Sequence, residues 1–192
     1  VREFLAGVTP RGAITEVRLL QNETNEGFPL GMNRGIRASS APYVCVLNND
    51  LRFTSGWLEE MIRVALADPT IGVVNPTSNT FGNRPPRGMS LEAYARHLRS
   101  LQGQWTEVGM CTGFCMLIKR EVLDRVGLLS EEVERAFFED EDFSARAQQA
   151  GYRCVVAESA YVFHTEHRSV RTVPEREALF AKNRRWCEAK WG

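Results

Sequence analysis

Three features of the sequence predict a layered α/β fold. Tyr43-Val44-Cys45-Val46-Leu47 is an unbroken apolar run that stops at Asn48-Asn49-Asp50, as expected of a short strand covered on both faces. Segments with strand character alternate with segments of helical spacing through the first half of the chain, which calls for a sheet between helices. The 192 residues suffice for one ordinary domain with a substantial core.

The elements follow in order. Residues 1–5 resemble the end of a helix closed by Gly7, and residues 14–20 read as a strand whose apolar part is Val17, Leu19 and Leu20. Residues 22–29 are turn-rich, a helix is expected over 30–38, and Ala41-Pro42 leads into the central strand. Thr54-Ser55 offers N-cap chemistry for a helix with Trp57, Leu58, Met61, Ile62, Ala65 and Leu66 on one face. Asp68-Pro69 ends it, and residues 71–74 form a buried strand. Residues 75–89, rich in Pro, Gly, Asn and Arg, break the rhythm as a mobile surface loop. That loop is either a solvated connection or a lid facing the acceptor of a reaction.

Ser90 caps a helix whose Leu91, Tyr94, Ala95, Leu98 and Leu101 form a core stripe. Residues 105–118 read as one long strand interrupted by Gly109 and Gly113; glycines there often mark a bulge or a close ligand approach. A short helix over 121–126 stops at Gly127. A charged loop (128–136), a helix (140–150) ended by Gly151, strands at 152–157 and 161–163, and a C-terminal helix over 174–191 complete the chain.

Bulk properties exclude several classes of function. Lys+Arg and Asp+Glu number 24 each, so nothing points to nucleic acid. No apolar run could cross a bilayer, and no secretory signal opens the sequence. Cysteines 45, 111, 115, 154 and 187 are odd in number and contain no CxxC pair. Cys111 and Cys115 would share one strand face, so these read as core thiols in a reducing, cytoplasmic setting. The basic, Trp-bearing stretch 182–191 would be a packed helix or a peripheral contact with the inner face of a membrane.

The chemistry concentrates in two places. In Glu139-Asp140-Glu141-Asp142, Asp140 shares a helix face with Phe143 and Ala147 and should point toward a cleft. One or two acids would merely complement a helix N-terminus. Four crowded carboxylates raise one another's pKa, and a raised carboxylate suits a general base near neutral pH. His164 ends an apolar strand, where a lone His is commonly structural. Paired with Asp50 at another strand end, it becomes a candidate ligand for Mg²⁺ or Mn²⁺, which fill their other positions with water and phosphate oxygens. Zinc would want three protein ligands, and no such trio stands out.

Four segments together resemble the inverting glycosyltransferases of family 2, which have the GT-A fold. Asn25-Glu26-Gly27-Phe28 with Asn33-Arg34-Gly35 is similar to the N-x-G-F…N-x-G stretch. Val46 to Asp50 resembles the D-x-D-type motif in its N-N-D variant. The strand Cys111 to Arg120 carries a Gly before Leu117-Ile118-Lys119-Arg120. Phe138 to Phe143, Arg146-Ala147, Ala150-Gly151-Tyr152 and His164 follow the E-D-x-D…R-A-x-x-A-G-Y…H signature, and Lys182-Asn183-Arg184 echoes a C-terminal R-N-R. Each motif alone is weak; four in order are specific.

The resemblance implies a GT-A-type three-layer sandwich with a mixed, mostly parallel central sheet. Residues 1–173 would be that domain, N-terminally incomplete because the first, nucleotide-binding strand is absent, and 174–192 a C-terminal helix. Val1 rather than Met at the start fits a piece of a longer protein, which would bind nucleotide sugar better than this chain. Asp50 and His164 would hold Mg²⁺ or Mn²⁺. Asn25, Gly27, Asn33, Asn48, Asn49 and Gly113 would line the donor site, and Asp140 would be the base.

The implied activity is hexosyl or deoxyhexosyl transfer, with inversion, in polysaccharide biosynthesis. The donor would be a UDP-, dTDP- or GDP-sugar and the acceptor a saccharide or lipid-linked hydroxyl, with homodimer formation left open. The alternatives are a non-catalytic nucleotide-sugar-binding domain and a sugar nucleotidyltransferase. The latter would need a Gly-rich basic phosphate loop that this sequence lacks.

Overall fold

The structure, a computed structural model, describes residues 7–10, 12, 14–81, 83–165 and 176–192. The helix expected at residues 1–5 and the segment after Thr165 up to 175 lie outside these. Six strands, β1 (Tyr43–Leu47), β2 (Leu51–Phe53), β3 (Ile71–Thr77), β4 (Trp105–Glu107), β5 (Cys115–Lys119) and β6 (Arg153–His164), form one sheet. The order is β1-β5-β3-β6-β2, with β4 also on β6. Among the described residues six helices accompany it: α1 (Phe28–Arg37), α2 (Trp57–Ala67), α3 (Leu91–Leu98), α4 (Arg120–Val126), α5 (Glu139–Gln149) and α6 (Arg176–Trp191).

The three layers follow from alternation along strands that are buried on both faces. On β5, Met116 and Ile118 join Ile36, Val122, Leu123, Phe143 and Ala147 beneath α1, α4 and α5. Cys115 and Leu117 face the other way, onto Met61, Val64 and Ala65 of α2. A third cluster seats Ala95 and Leu98 of α3 on Tyr161 of β6, as the helical stripe requires. Ser90 caps α3, its hydroxyl accepting from the Ala93 amide at 3.2 Å. Gly127 ends α4 with φ 84°, open to glycine at little cost.

The structure corrects several expectations. The sheet is mixed, but among the described strands only β3–β6 is a parallel pairing; β1–β5, β3–β5, β4–β6 and β2–β6 are antiparallel. Residues 14–20 form no strand: no described strand pairs with them, and Ile14, Val17, Leu19 and Leu20 stay exposed. Alternating apolar residues make a strand only where a neighbour accepts the ladder. The long strand expected over 105–118 is two short ones with different neighbours, so Cys111 lies off any strand and on the opposite core face from Cys115.

Thr54-Ser55 does not cap α2; Gly56 takes that place, the Thr54 hydroxyl donates to the Tyr161 carbonyl at 2.6 Å, and Leu66 faces solvent. The loop expected from residue 75 starts later, because β3 runs to Thr77 and residues 75 and 77–79 are buried. β2 carried no sequence signal, yet it positions the site. The α6 helix is packed rather than free: Cys187 is buried, and the Trp186 and Trp191 indoles donate to Glu132 and Asp142. Among the described residues no helix is long and apolar enough to cross a membrane.

Candidate active site

The strand ends build the site. β2 pairs with β6 so that Leu51 lies opposite His164, and the Thr165 amide donates to the Asp50 carbonyl at 3.0 Å. This register brings together two side chains more than a hundred positions apart. His164 Nε2 sits 3.1 Å from Asp50 Oδ1 but out of line for a hydrogen bond, and 3.3 Å from the Asn48 amide nitrogen. Three further neighbours hold His164. Thr80 Oγ1 lies 3.3 Å from Nδ1, which orients the ring and leaves Nε2 toward Asp50. The Asn79 side chain clasps the His164 backbone, accepting from its N–H and donating to its C=O, both at 2.8 Å. Phe114 stacks on the ring at 5.3 Å between centroids.

Across the cleft, α5 begins at Glu139. Asp140 accepts from the Gly113 amide at 3.0 Å and from the Glu141 amide at 3.0 Å. Burial raises the Asp140 pKa, while those amide donors pull the other way. Glu139 is pushed up to about 8, first by burial and then by the neighbouring Asp140 charge. The backbone leading into α5 is strained: Arg135, Phe137 and Phe138 have φ of 58°, 78° and 72°, at a cost of about 1–3 kcal/mol each. It is held by the Phe28 amide donating to the Arg135 carbonyl and by buried Asn183 of α6, which donates to the Glu134 and Ala136 carbonyls. That accounts for the asparagine of Lys182-Asn183-Arg184.

Asn25, Gly27, Asn48, Asn49, Asp50, Gly113, Asp140 and His164 all line a single cleft of about 800 Å³. Asn33 does not reach it. It is wholly buried, its amide donating to the Leu129 carbonyl and Glu131 carboxylate and accepting from the Leu129 amide. Gly27 lines the cleft, but its packing requires glycine: φ is 89°, and a Cβ would lie 2.3 Å from the Arg135 Cα. The sequence reading missed Asn79, Thr80 and Phe114, and missed the aromatic wall of Phe137, Phe138 and Phe180. A Phe-Phe pair before the acidic run was the one visible cue.

Buried polar side-chain atoms nearly always find partners. Among the described residues three do not: Asp50 Oδ1, Thr112 Oγ1 and Glu139 Oε2, and all three residues line this cleft. An orphaned carboxylate oxygen beside an imidazole nitrogen fits a hard divalent cation that takes its other ligands from water and phosphate. The described residues offer no cluster of three His, Cys, Asp or Glu.

The mixed sheet between helix layers, with its site at the strand ends, is the GT-A glycosyltransferase architecture. It superposes on the mannosyltransferase PcManGT from Pyrobaculum calidifontis in complex with GDP-Man and Mn²⁺, with TM-score 0.58 and 22% identity, over 88% of this chain and 46% of that one. It superposes equally on GalNAc-T7 with UDP, GalNAc and Mn²⁺, with TM-score 0.58 and 17% identity, over 76% of this chain and 31% of that one.

The profile of glycosyl transferase family 2 matches residues 9–127, more than half of the chain, and the chain belongs to that family. Among curated relatives, the uncharacterized protein y4gI of Sinorhizobium fredii is 25% identical over 94% of this chain and 22% of its own length. An N-acetylglucosaminyl-diphospho-decaprenol L-rhamnosyltransferase of Mycobacterium tuberculosis is 27% identical over 86% of this chain and 65% of its own length. The chain thus spans less than two thirds of the curated relatives it matches.

Proposed function

We propose that the chain transfers a hexosyl or deoxyhexosyl group from a nucleoside-diphosphate sugar to an acceptor hydroxyl with inversion of the anomeric carbon. The observation that carries this is the convergence of Asp50, His164 and Asp140 on one cleft that also holds the three orphaned polar atoms.

Asp50 and His164 would hold Mg²⁺ or Mn²⁺, which when bound offsets the charge developing on the departing diphosphate. Asp140 is the base. Its two amide donors hold the carboxylate in one orientation, and burial keeps it basic enough to take the acceptor's proton. A single base facing the sugar opposite the leaving group suffices for inversion, as on the base side of inverting glycoside hydrolysis. Asn48, Asn49 and Asn25 line the donor side, and the aromatic wall excludes water that would otherwise hydrolyse the donor.

The donor is a UDP-, dTDP- or GDP-sugar. The two structural neighbours bind UDP and GDP-Man with Mn²⁺, and the mycobacterial relative is named for a diphospho-lipid acceptor, which supports a lipid-linked sugar as acceptor in polysaccharide biosynthesis. The reaction would then run on the cytoplasmic side, in peripheral contact with the membrane.

The test is nucleoside diphosphate release from UDP-, dTDP- and GDP-sugars, with Mn²⁺, Mg²⁺ or EDTA, by wild type and Asp140→Asn. Metal-dependent release lost in Asp140→Asn is expected. Turnover surviving that change would remove Asp140 as base. Metal-dependent thermal stabilisation by a donor with no turnover would make the chain a binding module instead.

A further inference from the structure

A second hollow, of about 490 Å³, is bordered by His164, the end of β6 and the loop over residues 84–89. Among the described residues His164 is the one common to the linings of both cavities. The two differ in charge. Among the described residues the cleft carries Asp50, Glu139, Asp140 and Glu141 together with Arg135 and Arg176; the hollow carries Arg84 and Arg87 and no carboxylate. Neither guanidinium has an ion-pair partner among the described residues.

A pair of exposed arginines on a loop is ordinarily just a solvated surface. Here their carrier is fixed. Asn79 at its root clasps His164, the Asn83 amide donates to the Ser78 carbonyl, and the Tyr161 hydroxyl donates to the Asn83 carbonyl at 3.0 Å. Pro85-Pro86 then restrict the backbone between the two arginines, and the Met89 amide closes a turn on the Pro86 carbonyl. A binding surface ordered in advance loses less entropy when a ligand arrives. Two planar forks facing one hollow of ligand size are suited to phosphate oxygens, which arginine recognises bidentately.

We infer that this hollow is a subsite for the phosphate or diphosphate of an anionic acceptor, with Arg84 and Arg87 as its ligands. The inference rests on the glycosyltransferase reading of the cleft. The acceptor's sugar would enter the cleft toward Asp140 while its phosphate stays in the hollow. The donor diphosphate and the acceptor phosphate are thereby held in two cavities that share one imidazole. The repulsion between them is offset by separate partners, a cation at Asp50 for one and two guanidiniums for the other.

The experiment is calorimetric titration with inorganic pyrophosphate in EDTA, so that no divalent cation bridges it to the cleft carboxylates, on wild type, Arg84→Ala/Arg87→Ala and Asp50→Asn. Both arginines are exposed, so the double variant should fold, and circular dichroism checks this. Expected is binding by wild type and Asp50→Asn and a loss of tenfold or more in the arginine variant. Equal binding by all three proteins, or none by wild type, overturns the subsite. The second arm measures UDP and GDP affinity with Mn²⁺. An arginine variant that loses as much there as with metal-free pyrophosphate assigns the pair to the donor instead, and overturns the inference. Neither arm needs turnover, so inactivity would count against the function proposed above without touching this site.

Discussion

Asp140 and Asp142 stand two positions apart on the first turn of α5 and have opposite surroundings. Asp142 is wholly buried. Arg146 binds its Oδ2 at 2.9 Å, and Lys190 and the Trp191 indole of α6 reach its Oδ1 at 2.7 and 3.1 Å. Arg146 in turn donates to the Val126 and Leu128 carbonyls, so this carboxylate ties α4, α5 and α6 together. Asp140 has no cationic partner among the described residues, only backbone amides, and faces the cleft with Glu139 beside it. The same residue type one half-turn away is structural in one case and, in the reaction proposed above, the proton acceptor in the other. What separates them is whether a cation neutralises the charge, which the acidic run alone does not reveal.

The largest effect expected from breaking this contrast is on rate. Asp140→Asn should lower nucleoside diphosphate release by about 10²–10⁴-fold, the usual contribution of a general base, with the melting temperature little changed. Asp142→Ala should do the reverse. Leaving Arg146 and Lys190 without their carboxylate costs about 3–5 kcal/mol, read as a clear drop in the denaturant midpoint. If Asp142→Ala proved stable but inactive, the division between the two would collapse.

Asn33 tests the division on another motif residue. Its replacement by Ala orphans buried groups at Leu129 and should cost about 1–3 kcal/mol while leaving donor affinity intact in protein that remains folded, measured by denaturation and calorimetry.

Glu139 sharpens it most finely. With its carboxyl pushed up to about 8 from 4.5, the folded protein keeps a proton that the unfolded chain has released. Stability from this group is therefore full below about pH 4.5 and is lost as pH rises through about 8. Glu139→Gln should flatten the fall of melting temperature across that interval; an unchanged slope would mean that Glu139 titrates normally.

The site was legible in part. Asp50, His164 and Asp140 each stood out, two by ending apolar runs and one by its helix face. Asn33 was misplaced because its partners lie 96 and 98 positions away, beyond any local pattern. Asn79 and Thr80 were hidden for the same reason, as residues of a turn-rich stretch that matter only once β6 ends beside them.

From sequence alone came the six described helices, the stops at Gly127 and Gly151, the Ser90 cap, and the doubly covered strands. All of these depend on neighbours a few residues apart, where spacing and side-chain chemistry act directly. Only the tertiary structure settled which strands pair, so it also decided that residues 14–20 stay out of the sheet and that a three-residue strand joins it. Ladder pairing is a long-range choice made by burial and register. The same pairing sets His164 beside Asp50 and leaves a buried carboxylate oxygen there without a donor.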